Sequence, residues 1–302
     1  KKKKKKKTNK QNKKKKQMND CPNLSSVSVQ YISQACSTHL HCLHVRAMEL
    51  DRNTMLELSD RCKYLEELDL GSDNMYIGNS SIDDMCVFSL LSLCNLKVLS
   101  LAGLHNITDK SVCSLLKRAK LECVNLNGCN SVRMDSVCQT LYETYANDEE
   151  QAPNDSLSEP KSELVSSDDV ITFPKHMNPT PFVVGVTGPS RPFTCPTESS
   201  PETQFRFNSC LDANATFRLS ALKLANTDVS DVGIGYLKDL PTIQHLDLNA
   251  CNSITNDVLK LFAMKTAFPK LLCLDLGLCV QLQQQQVYEF SAMRTDIRIR
   301  FY

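Results

Sequence analysis

The chain has no tryptophan, and aromatic residues fill only 6% of its 302 positions. Its core must therefore rest on Leu, Val, Ile and Cys. No apolar run approaches the roughly 18–20 residues that span a bilayer, so no membrane segment is expected. Also missing are a G-x-S-x-G elbow, a Walker loop, an H-E-x-x-H helix and a dinucleotide fingerprint. Without them neither an enzymatic activity nor a cofactor is expected. The 15 cysteines include no C-x-x-C pair, which removes the clustered ligands of a structural zinc framework. A dense, odd thiol set behind an opening with no apolar leader is expected in a reducing compartment, cytoplasmic or nuclear. There thiols act as small buried hydrophobes.

The formal net charge of +1 sums two opposite regions. Residues 1–17 hold 12 lysines and no acid, so the remaining 23 basic groups face 34 acidic ones, a net of −11. An acidic body argues against nucleic-acid binding, except through the lysine tail. Composition makes residues 1–20 a disordered tail. It reads either as nuclear localisation or polyanion binding, or, with more weight, as low-complexity sequence without function. The chain opens on Lys rather than Met, which suggests an incomplete N-terminus.

What is present is a repeat. "LHCLHVRAMEL" (40–50), "LEELDLGSDNMYI" (65–77), "LKVLSLAGLHNIT" (96–108) and "LECVNLNGCNSVR" (121–133) share the pattern L-x-x-L-x-L. It returns in "LSALKLANTDVS" (219–230), "IQHLDLNACNSIT" (243–255) and "LLCLDLGLCVQL" (271–282), with Val or Ile sometimes replacing Leu. "DIRIRFY" offers one more short strand at the end, with Ile297 and Ile299 inward. Alternating apolar residues make a short strand with one buried face. The segments "TDKSVCSLLKRA" (108–119) and "TNDVLKLFAMKT" (255–266) then carry apolar residues at helical spacing, with Thr108 and Thr255 placed as N-caps. A unit that buries a single stripe must stack on its neighbours. The expected fold is an α/β leucine-rich-repeat solenoid, a horseshoe with short parallel strands on the concave side and helices on the convex side. The solenoid is expected over 21–147 and 218–302.

Cys129, Cys251 and Cys279 each fall three residues after the last strand leucine of their unit. A small apolar thiol suits that slot, because its S–H donates weakly to a turn carbonyl. Asp73, Leu104 and Thr227 occupy the slot in other units. The pattern resembles the cysteine-containing leucine-rich repeat of the F-box/LRR proteins and of the related antagonist-of-mitotic-exit proteins. The first resemblance implies the substrate-recognition module of an SCF-type cullin-RING ubiquitin ligase, with a Skp-type adaptor and a cullin as partners. Nothing like the helical F-box that would bind them precedes residue 21, so these partners follow only if an F-box lies upstream of Lys1. The second implies a free-standing interaction scaffold with no ligase link.

Nine of the chain's 12 prolines lie between 148 and 215, among acidic and Ser/Thr clusters. Residues 148–217 are therefore expected to form a disordered insertion at the end of the fourth unit's helix. "TPFVVGV" (180–186) is its apolar patch, and Thr180 and Ser200 precede prolines as candidate phosphorylation sites.

In the repeat reading, residues flanking the inward leucines face a protein partner. They are His44, Arg46, Glu67, Asp69, Asn125, Asn127, Lys223, His245, Asp247, Asn249 and Asp275. Asp69, Asp247 and Asp275 fall in line, either as a site for a basic partner or as the ordinary residue of that slot. "HLHCLHV" (39–45) places three histidines and a cysteine together, but Leu40, Leu43 and Val45 take the core positions. Surface histidines are the default there, and no metal is expected.

Overall fold

The computed structural model describes residues 14–17, 25–46, 48–72, 80–118, 120–150 and 217–301. All of them belong to one unit, 1–153 with 209–302, whereas a second unit, 154–208, lies outside the described residues. Among the described residues nine strands form a single sheet in chain order. They are β1 (Lys14–Gln17), β2 (Leu40–His44), β3 (Glu67–Asp69), β4 (Val98–Ser100) and β5 (Cys123–Asn125), then β6 (Ala221–Lys223), β7 (His245–Asp247), β8 (Cys273–Asp275) and β9 (Arg298–Arg300). Every neighbouring pair is parallel.

Parallel neighbours need a crossover, and a helix supplies each one. The helices are α1 (Ser26–Cys36), α2 (Arg52–Arg61), α3 (Asp84–Ser89) and α4 (Asp109–Arg118), then α5 (Met134–Glu150), α6 (Asp231–Leu237), α7 (Asn256–Ala263) and α8 (Gln284–Met293). The fold is a leucine-rich-repeat solenoid.

The register explains the sequence pattern. Leu43, Leu68, Leu99, Val124, Leu222, Leu246 and Leu274 are successive Cα partners, and none is more than 2% exposed. Ile299 continues the file, half-buried, and Ile297 is buried. The other two apolar positions of each unit are buried as well, for example Leu65 with Leu70 and Ile243 with Leu248. They join the inner helix faces, such as Val112, Leu115 and Leu116 of α4 or Val258, Leu259 and Phe262 of α7, in one continuous core. Phe262 packs on Phe268 and Phe290, with ring centroids 4.9 and 6.2 Å away, which gives the last units the larger residues of the core.

Two boundaries differ from those read by composition. Residues 14–17, assigned above to a disordered tail, form β1 alongside β2. Strand pairing draws on backbone N–H and C=O groups, and the open edge of β2 offers these whatever side chains the incoming chain carries. The rest of 1–20 lies outside the described residues. At the other boundary, α5 runs to Glu150, and the described chain resumes at Phe217, whose ring meets Tyr145 at 5.7 Å. The remainder of the 148–217 insertion, with Thr180, Ser200 and the apolar patch, lies outside the described residues. The solenoid continues across the gap: β5 and β6 pair in register, Val124 opposite Leu222.

Consecutive units are joined by a second device, at the start of the helices. Asp84 accepts both the N–H and the hydroxyl of Thr108, at 2.7 and 2.8 Å. Asp135 takes Ser230 in the same way, at 2.9 and 2.5 Å. Asp231 takes Thr255 at 2.8 and 2.5 Å. Ser230 and Thr255 are N-caps of α6 and α7, and Thr108 accepts from the N–H of Lys110 at the start of α4. Each of these carboxylates sits in the first turn of its own helix, where the dipole favours negative charge. The cap therefore has two tasks, capping its own helix and anchoring to the unit before.

Candidate functional site

Strand residues alternate between faces, so the positions either side of the central leucine point away from the helices. The parallel register sets them in two rows. One row runs Cys42, Glu67, Val98, Cys123, Ala221, His245, Cys273, Arg298. The other runs His44, Asp69, Ser100, Asn125, Lys223, Asp247, Asp275, Arg300. Lys223, His245, Arg298 and Arg300 are exposed, Cys42 and Ser100 are buried, and the remaining members are half-buried. Arg46, Asn127 and Asn249 follow two residues beyond the second row and extend the same face.

The residues expected to face a partner do lie on this face, but several are occupied with one another. His44 Nε2 meets Glu67 Oε1 at 2.7 Å, and Arg46 Nε lies 3.3 Å from Asp69 Oδ2. Asn127 donates to Asp247 at 3.4 Å and Asn249 to Asp275 at 3.5 Å.

The aspartates have a further duty. Asp69 Oδ1 accepts the N–H of Gly71, Asp247 Oδ1 that of Asn249 and Asp275 Oδ1 that of Gly277, at 3.0, 3.1 and 3.0 Å. Asn125 does the same for Asn127 at 3.1 Å. An Asp or Asn ending the strand thus closes an Asx turn, a local structural reason for its recurrence. The aspartates are also not contiguous. Asp247 and Asp275 are neighbours, but Ser100, Asn125 and Lys223 separate Asp69 from them. The face is a mixed surface of both charge signs rather than an acidic strip.

The sequence reading left out Val98, Ser100, Cys123, Ala221, Cys273, Arg298 and Arg300, which share the two rows. Their signal was available, since they hold the same offsets in the L-x-x-L-x-L pattern as the residues that were named. The asparagine at 127 also reaches the next unit, where its Oδ1 accepts the N–H of Ala225 at 2.8 Å.

The cysteine slot is structural. Cys129, Cys251 and Cys279 are buried, and each thiol donates at 3.1 Å to a carbonyl of the preceding unit: Leu101, Leu224 and Leu248 respectively. Burial pushes the Cys129 thiol up to about 12 and that of Cys279 up to about 11. Such thiols stay protonated and are poor nucleophiles.

Against this geometry, comparison with known proteins adds little. No family model matches the chain. It is similar to a chain in the crystal structure of the Rad7 and Elc1 complex in yeast, at 12% identity over 91% of this chain and 64% of that one, with a TM-score of 0.42. It is also similar to a chain in the TLR13–ssRNA13 complex, at 15% identity over 93% of this chain and 34% of that one, with a TM-score of 0.38. The chain thus spans less than two thirds of the length of either. Among the described residues no helix is long and apolar enough to cross a membrane.

Proposed function

We propose that the outward sheet face holds a protein partner, and that the chain is the substrate-recognition part of an SCF-type cullin-RING ubiquitin ligase. The observation that supports partner binding is the row register. Eight strands present side chains of both signs at fixed spacing, with Lys223, His245, Arg298 and Arg300 exposed among half-buried neighbours. Neighbouring strands lie about 4.8 Å apart, so such a surface reads shape and charge over several units at once. The ligase link rests on the cysteine-slot resemblance. In this reading the chain performs no chemistry, needs no cofactor and works in the cytoplasm or nucleus, holding a target near a ligase assembled through a Skp-type adaptor.

The test uses the full-length protein. Capture of a Skp-type adaptor and a cullin is expected, together with one or more targets. The target, and not the adaptor, should be lost in a Lys223→Glu/Asp247→Lys variant. Recovery of targets with no adaptor or cullin would leave a free-standing scaffold of the antagonist-of-mitotic-exit kind. Targets retained equally by the charge-swapped variant would remove the sheet face as the binding site.

A further inference from the structure

The first two units of the outward face bring together three chemically different donor atoms, two from the HLHCLHV stretch and the third from the next unit. Cys42 and His44 are two apart on β2, so both project from the same face. Glu67 is the direct Cα partner of Cys42 on β3. Cys42 Sγ lies 3.3 Å from His44 Nε2 and 3.0 Å from Glu67 Oε2, and His44 Nε2 lies 2.7 Å from Glu67 Oε1. Among the described residues this is the one group of three or more His, Cys, Asp or Glu donors close enough to share an ion. Cys42 is buried, and His44 and Glu67 are half-buried.

We propose that Cys42, His44 and Glu67 form a binding site for a borderline-soft divalent transition metal, of which Zn²⁺ is the type. Tetrahedral zinc takes sulfur at about 2.3 Å and nitrogen or oxygen at about 2.0–2.2 Å, which sets neighbouring donor atoms roughly 3.3–3.6 Å apart. The observed contacts, which reach both carboxylate oxygens, are tighter: the sulfur contacts at 3.3 and 3.0 Å by up to about half an ångström, and His44 to Glu67 at 2.7 Å by more than that. Glu67, with three rotatable side-chain bonds, swings back to open them without moving the strands. As they stand, the S–H and the imidazole both direct a proton at one carboxylate. The ion takes the place of those protons. Cys42 binds as thiolate and releases its proton to solvent, and the neutral His44 ring binds through Nε2 with its one proton moved, by exchange with solvent, to Nδ1.

Sulfur and imidazole donors favour zinc, cobalt or copper and disfavour Mg²⁺ and Ca²⁺, which ask for oxygen. Three protein donors leave one tetrahedral position for water or a group from outside. Asp69 beside His44 is not a competing ligand, because Gly71 N–H and Arg46 occupy its two oxygens. The donor set does not recur at the equivalent places of the other strand pairs, where the partner of Cys123 is Ala221 and that of Cys273 is Arg298.

The experiment titrates the reduced, chelator-stripped full chain with Co²⁺ and then Zn²⁺, alongside Cys42→Ser, Glu67→Gln and Cys123→Ser. Wild type and Cys123→Ser are expected to bind one Co²⁺ with a thiolate-to-cobalt charge-transfer band. Cys42→Ser should lose that band, and Glu67→Gln should bind more weakly by about tenfold or more, since changes even in outer-shell partners of a metal cost about 10–100-fold. Zn²⁺ should raise the unfolding midpoint of wild type and leave that of Cys42→Ser in place. Glu67→Gln keeps side-chain shape on an outward position, so a fold defect in Cys42→Ser would not empty the test. Equal cobalt uptake and equal spectra for wild type, Cys42→Ser and Glu67→Gln would overturn the site. So would a wild-type midpoint that Zn²⁺ does not move.

Discussion

Cys129 shows how much one side chain carries in a repeat protein. Its sulfur fills a buried slot and closes the hydrogen bond of the Leu101 carbonyl. Removing it leaves a small cavity and an unpaired acceptor. We expect Cys129→Ala to cost about 1–2 kcal/mol, measured as a lower urea midpoint at unchanged slope. Carboxylates set the acid response. Asp51 caps α2 and is held below its ordinary pKa, chiefly by the N–H of Thr54. Burial would raise Asp83, but Arg52 and the N–H of Cys86 outweigh it and hold its carboxyl low. The folded state thus binds these protons less readily than the unfolded chain, whose aspartates titrate near about 3.9. Their stabilisation is complete above that value and disappears as the pH falls through it toward the folded pKa. Urea midpoints taken between about pH 6 and 3 should fall, and Asp51→Asn should flatten the fall.

The turns after β4 to β8 impose their own rule on the elements. Gly103, Gly128, Asn226, Ala250 and Leu278 each stand two residues after the last strand leucine, with φ of 70, 68, 53, 57 and 59°. That is the left-handed region, free for glycine and costly by about 1–2 kcal/mol for most other residues. At Gly103 a Cβ would also meet the Ser72 carbonyl at 2.9 Å, so glycine is doubly required there. Leu278 carries the strain with 64% of its surface exposed and gains little from burial. Leu278→Gly should therefore raise stability by about 0.5–1 kcal/mol, read as an increased thermal midpoint, despite the larger backbone entropy of the unfolded glycine.

In the whole solenoid, stability is close to a sum of unit and interface terms, so a defect in one interface is felt by its neighbours. Leu248 is fully buried between the files of adjacent units. Leu248→Asp should cost several kcal/mol through an unpaired buried charge, with an altered denaturation slope if the last units melt separately. The join between β5 and β6 is the other test. Asp135 holds Ser230 across it, and a Cβ on Gly233 would run into the Asp135 carboxylate, so α5 and α6 meet closely there. Because that join is complete within one unit, replacing 154–208 with a short Gly/Ser linker should preserve a single unfolding transition. Calorimetry of the excised chain against the parent checks this.

The sequence by itself determined the repeat, its strands and the structural cysteines, because these depend on offsets of a few residues. L-x-x-L-x-L places three leucines inward wherever a strand follows it, and the slot of Cys129 lies at a constant distance beyond. Contacts between units were beyond its reach. Glu67 is 25 residues from Cys42, and Ser230 is 95 from Asp135. Only the parallel register decided that the first pair share a donor triangle and the second a helix cap. The same holds for β1: a lysine-rich run has no apolar period to read, and the edge of β2 recruits its backbone without consulting its side chains.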